Sequence, residues 1–170
     1  TARVFPTYLI FKPAMFITAF FLIQYWRFNS DLMGKISPYL NYKKFFLFFG
    51  VGSAIFLVLH SIFLGVKFDN DFYKLFRRVL ILVFIIFEVI AQTILVINFF
   101  KIKEQIKQFI NSRILNIKIT LVSILIVVAF VSIPFLAAEG YNSFKHALEW
   151  NYFMGVISFY LLTFFFWKKQ

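Results

Sequence analysis

Glu88 stands in the middle of an otherwise apolar run, about residues 79–100, with Gln92 one helical turn on and Asn98 nearly two turns further. An acid at that depth in a bilayer costs roughly 2.5–3.5 kcal/mol on insertion scales, so it must face other helices or a water-filled cavity. Ala91, Gln92, Leu95 and Asn98 fall on or near the same helical side, a polar and small-residue stripe on a helix of Ile, Val and Phe. Such a stripe can bind a proton, an ion or a substrate, or it can hold helices together by interhelical hydrogen bonds. The run at about 45–66 has a matching face: Gly50, Ser53, Ala54, Leu57, His60 and Ser61 recur at three- and four-residue spacing. Gly50 and Ala54 form a small-xxx-small pair that lets backbones approach, which would turn His60 inward. Glu88, Gln92, Asn98 and His60 are therefore the candidate intramembrane polar site.

A second group, Glu139, His146 and Glu149, clusters around the start of the last apolar run, on the same membrane side as His60. Imidazoles and carboxylates together can ligate Zn or another divalent ion, two His can hold a haem, and a His–Glu pair can relay protons. The spacing those sites need is missing, with no His-x-x-x-His and no His-Glu-x-x-His, so no metal or cofactor is expected. Glu149-Trp150 reads more simply as a helix start, an acid complementing the helix dipole and an indole at the interface. Catalytic residues stay unassigned. The Asp residues, Asp31, Asp69 and Asp71, all fall in loops, and neither a Gly-x-Ser-x-Gly elbow nor a Gly-rich phosphate loop occurs. The chain has no Cys, which removes thiolate chemistry and disulfides.

A third pattern lies between residues 101 and 118. Ile102, Ile106, Phe109, Ile110, Ile114 and Ile117 recur at helical spacing, with Lys101, Lys103, Lys107, Gln108, Asn111 and Arg113 on the remaining positions. This pattern predicts an amphipathic helix over about 101–117, lying flat in the interface. Lys101, Lys103, Lys107, Arg113 and Lys118 would then contact lipid headgroups. A bent continuation of the preceding span, with no specific contact, fits the same residues.

The elements that must position these groups follow from composition. Of 170 residues, 62% are hydrophobic and 15% charged, too few charges to cover such an apolar mass in water. Disorder, which needs low hydrophobicity, is excluded too. Continuous apolar runs, without strict alternation, argue against a β-barrel. The expected fold is all-α: one polytopic transmembrane bundle over 1–170, with about five spans at 5–26, 45–66, 79–100, 119–138 and 147–167. Lys12-Pro13 interrupts the first span and makes it the shortest uninterrupted one. No cleavable signal peptide is expected, because the first apolar stretch lacks a small-residue cleavage site.

The net charge of +11 sits between the apolar runs, where it meets lipid phosphates, so nucleic acid is not an expected partner. The expected partners are membrane lipids, with other membrane subunits or further copies of the chain. The expected role is a non-enzymatic subunit or scaffold. The alternatives are a small proton-coupled transporter or channel using Glu88 and His60, and a membrane enzyme acting on lipid or a haem-bearing electron carrier. Seven Lys and Arg fall on the N-terminal side and eleven on the other, which favours the N-terminus outside and the C-terminus in the cytoplasm. In this naturally Cys-free chain, Gln108→Cys should react with an impermeant maleimide only from the cytoplasmic face; labelling from outside overturns the orientation.

Overall fold

A helix in a bilayer satisfies its backbone internally, and runs of Phe, Ile, Leu and Val supply the apolar surface that such a helix must show. The computed structural model describes residues 7–36, 43–63, 71–137 and 142–168, and helices account for nearly all of them. These are α1 (Thr7–Ile36), α2 (Lys43–Phe63), α3 (Asp71–Lys101), α4 (Lys103–Ile106), α5 (Ser112–Ala137) and α6 (Asn142–Phe166). Four carry stretches long and apolar enough to cross a membrane: Leu9–Ile36, Phe45–Phe63, Leu75–Lys101 and Ser112–Val131. In α6 the apolar run is shorter, Trp150–Phe166, about 25 Å at 1.5 Å per residue. The chain is a multi-pass, all-α helical membrane protein. Its burial pattern is inverted relative to a soluble protein. Glu88 and Gln92 are fully buried, whereas Phe164 is 78% and Ile10 77% exposed.

The chain divides into two compact units, Thr1–Ala91 and Gln92–Gln170, with the boundary inside α3. In the first unit α1 and α2 pack along each other. Buried Trp26 lies flat over Gly50, where the indole Cγ and Cδ2 occupy the position a Cβ would take. Gly52 plays the same part for Phe87, whose Cδ1 lies 2.7 Å from such a Cβ. Phe87 in turn meets the rings of Phe49 and Phe56 edge-on, at 5.0 and 5.2 Å between centroids. The last carbonyls of a helix have no intrahelical donor, and neighbouring helices supply two for α2. Lys12 Nζ of α1 donates to Ile62 O at 3.3 Å, and Tyr73 Oη of α3 donates to Phe63 O at 2.9 Å. The Lys12-Pro13 pair therefore does not break the first helix. Pro13 withholds only the N–H that would bond the Leu9 carbonyl, and Lys12 is put to use at the end of α2.

In the second unit α5 packs against α6. Gly155 admits Leu125, whose Cδ2 is 2.6 Å from where a Cβ would sit, and Tyr152 Oη donates to Leu125 O at 3.0 Å. The segment after α3 differs from the sequence expectation. Instead of one amphipathic helix over 101–117, α4 is a single turn, residues 107–109 form turns, and Ile110 makes an isolated antiparallel bridge with Trp167. Asn111 N donates to Phe166 O at 2.8 Å and Lys168 N donates to Phe109 O at 2.9 Å, clipping the segment to the end of α6. Ile102, Ile106 and Ile110 are buried in protein, while Phe109 and Ile117 of the same expected face are exposed. The isoleucine spacing marks a covered face; what covers it here is protein.

Asn111 also starts α5. Its Oδ1 accepts the Arg113 N–H at 3.1 Å, an N-cap, so the helix begins at Ser112 instead of near 119.

The two close approaches differ in what a methyl would strike. At Gly50 it meets a rigid, fully buried indole, and at Gly155 the far end of a flexible leucine. Gly50→Ala should destabilise the fold in detergent by about 1–3 kcal/mol, with Gly155→Ala costing less. Thermal unfolding of the two variants should show that order, and the reverse order contradicts the packing described.

Candidate functional site

The α3 stripe is organised by periodicity: Phe84, Ile85, Glu88, Ala91, Gln92, Leu95 and Asn98 are all buried. Within the first unit Glu88 faces α2, and Ser53 Oγ–H donates to Glu88 Oε2 at 2.6 Å. The same hydroxyl oxygen lies 2.8 Å from the Gly50 carbonyl, with the geometry of a donor to it. A serine has one hydroxyl hydrogen for these two acceptors. The arrangement serves either form of the acid. With an ionised carboxylate, the hydroxyl turns to Glu88. With a carboxylic acid, Glu88 donates to Ser53, and Ser53 donates to Gly50 O.

His60 lies on α2 two turns beyond Ser53, half-buried, next to buried Ser61. Gln92 and Asn98 are equally buried but belong to the second unit. Asn98 Oδ1 accepts no hydrogen bond among the described residues. The four expected site residues are thus all withdrawn from the surface to differing degrees, and Ser53 is a side chain that meets Glu88. Ser53 belongs to the face named for α2, but only as one of its small residues; its hydroxyl was the chemical signal.

Glu139 lies outside the described residues. Positions 146 and 149 fall in the first turns of α6, but the side chains of His146 and Glu149 lie outside those described. Among the described residues, no three His, Cys, Asp or Glu gather closely enough to hold a metal ion.

The basic residues separate into two kinds. Lys101, Lys107 and Arg113 are exposed and Lys103 half-exposed, with the Lys103 ammonium 6.0 Å from the Phe100 ring centroid. Lys118 is different: it is 2% exposed and nearly two turns inside α5. It shares the buried face of that helix with Leu115, Val122 and Leu125. Its Nζ donates to Thr163 Oγ1 at 2.6 Å, while Thr163 donates on to Phe159 O at 3.1 Å. The rings of Phe159 and Phe166 lie 4.1 and 5.3 Å from the nitrogen, so aromatic faces take the place of water around it. Lys118, expected among the headgroup contacts, is thus buried in protein: α5 runs from Ser112, and position 118 falls on its packed face with Leu115, Val122 and Leu125.

No family model, no curated protein and no solved structure matches this chain.

Removing one partner of a buried polar pair strands the other, whereas replacing the polar group itself removes the demand. Thr163→Val should therefore destabilise the protein by about 1–3 kcal/mol, and Lys118→Met by less. The double variant should resemble Lys118→Met alone. Denaturant titration in micelles reads all three, and additive losses exclude the pairing.

Proposed function

We propose that this multi-pass membrane protein is a non-enzymatic subunit or scaffold that binds lipid or protein partners within the bilayer. What carries the reading is the use made of its polar side chains. Ser53 and Glu88, Lys118 and Thr163, Lys12 and the end of α2, and Tyr73 and the same helix end are all joined across helix–helix contacts. Interhelical hydrogen bonds of this kind hold membrane helices together, where burial of apolar surface gives no drive. The outward faces carry exposed Phe, Leu, Ile and Val, which suit acyl chains or the spans of a partner. We place the N-terminus outside and the C-terminus in the cytoplasm, from the distribution of Lys and Arg.

A second reading has one observation in its favour. The Gly50–Ser53–Glu88 oxygens accommodate both the proton-loaded and the unloaded carboxyl by reorienting one hydroxyl, which is what a proton-coupled carrier requires of its site. Glu88→Gln separates the two. On the scaffold reading it leaves co-purifying lipid or subunits in place and lowers only the stability of the helix pair. Loss of pH-driven flux in proteoliposomes, with assembly intact, would favour the carrier. Native mass spectrometry of the wild-type chain in mild detergent should show retained lipid or a second subunit. A strict monomer carrying neither overturns the scaffold reading.

A further inference from the structure

The clip between the segment after α3 and the end of α6 brings together the exposed side chains of Glu104, Gln105, Lys107, Gln108 and Lys168 around a wide-open polar recess of about 530 Å3. The recess is too open to bury a ligand as an enclosed small-molecule site does, and its lining contains no apolar residue. Backbone and side-chain contacts link the residues around it. Lys168 N–H is bonded to Phe109 O at 2.9 Å, Lys168 Nζ donates to Lys107 O at 3.1 Å, and Glu104 pairs with Lys107 at 3.5 Å. Two ammonium groups and one carboxylate leave a net single positive charge, and two primary amides add neutral donors and acceptors.

The position is as informative as the lining. Lys107 and Lys168 lie just past the apolar stretches of α3 and α6, which end at Lys101 and Phe166. Phe99, Phe166 and Trp167 cluster there, with Phe99–Phe166 ring centroids 4.8 Å and Phe166–Trp167 5.1 Å apart. Aromatic rings at a span end mark the depth at which lipid headgroups begin.

We propose that this recess binds a phosphodiester, supplied by the headgroup of an anionic glycerophospholipid such as phosphatidylglycerol. The inference rests on the lipid-binding reading above and names the lipid class. Lys107 and Lys168 neutralise the single phosphate charge, and the amides of Gln105 and Gln108 meet the headgroup hydroxyls. Glu104 sets the selectivity. It keeps the site's net charge at one, which matches a diester and disfavours the second negative charge of a phosphomonoester or free phosphate. A divalent cation is a poor fit, since it wants several oxygen ligands and meets two ammonium groups here.

The test is native mass spectrometry of the full chain, released from nanodiscs of equimolar phosphatidylglycerol and phosphatidylcholine. The expected result is retained phosphatidylglycerol, reduced roughly tenfold by the double substitution Lys107→Gln with Lys168→Gln. Arg27→Gln, which removes an exposed charge on α1 away from the recess, should leave retention unchanged. Glu104→Gln should raise retention and let inorganic phosphate compete, a gain that a damaged fold cannot mimic. Equal retention by the double variant, or equal loss from Arg27→Gln, overturns the proposal. Displacement by soluble glycerophosphoglycerol with no preference for phosphatidylglycerol over phosphatidylcholine overturns the lipid source and assigns the recess to a free diester. If phosphatidylcholine or a protein subunit is retained but phosphatidylglycerol is not, only the recess assignment fails. If nothing is retained, the scaffold reading fails with it.

Discussion

Inside a hydrocarbon layer there is no water to take up a stray hydrogen bond, so a polar side chain on a spanning helix is best satisfied within the protein, by its own backbone or by a neighbouring helix. Much of this structure follows from that constraint. Glu88 reaches Ser53, and Lys118 reaches Thr163. Two carbonyls at the end of α2 are taken by a lysine from α1 and a tyrosine from α3. Each contact links helices that the chain separates, so satisfying local chemistry and fixing the helix arrangement are one event. Because an unmet partner in this setting costs more than a made bond contributes, the contacts specify which helices meet more than they add to stability.

Between the polar contacts, steric fit does the remaining work. Apolar surface gains nothing by leaving lipid for protein, so helix association draws on close packing. The glycines supply it where a flat or branched side chain must come near a backbone, as with Trp26 over Gly50, Phe87 over Gly52 and Leu125 over Gly155. The many phenylalanines divide accordingly. Phe46, Phe84, Phe159 and Phe166 are buried, whereas Phe16, Phe48, Phe130 and Phe164 stay exposed for acyl chains to cover.

At the ends of α3 and α6 the constraint relaxes, and the chemistry changes with it. The Ile110–Trp167 bridge is a backbone device at the point where the apolar stretches stop. It brings charged and amide side chains together around one open polar recess, instead of leaving them spread along a flat helix. The lysines of this segment therefore have two fates: Lys107 lines the recess, while Lys118 is drawn inside.

Local periodicity carried a large share of this. The all-α class, the spanning runs and the inward placement of Glu88 are legible in the order of apolar and polar residues, because each depends on one helix meeting one solvent. The start of α5 at Asn111 was legible in principle, as an Asn just before the helix, but the apolar run beginning at Ile119 concealed it. Other features could not be read that way. Spacing shows that Ile102, Ile106 and Ile110 share a covered face, but lipid and protein are equally apolar, so it cannot say which covers them. The pairing of Ser53 with Glu88, of Lys118 with Thr163 and of Ile110 with Trp167 joins residues 35, 45 and 57 positions apart. Sequence alone determined what each helix needed. Only the tertiary structure decided which neighbour met the need, since that choice depends on packing between distant segments.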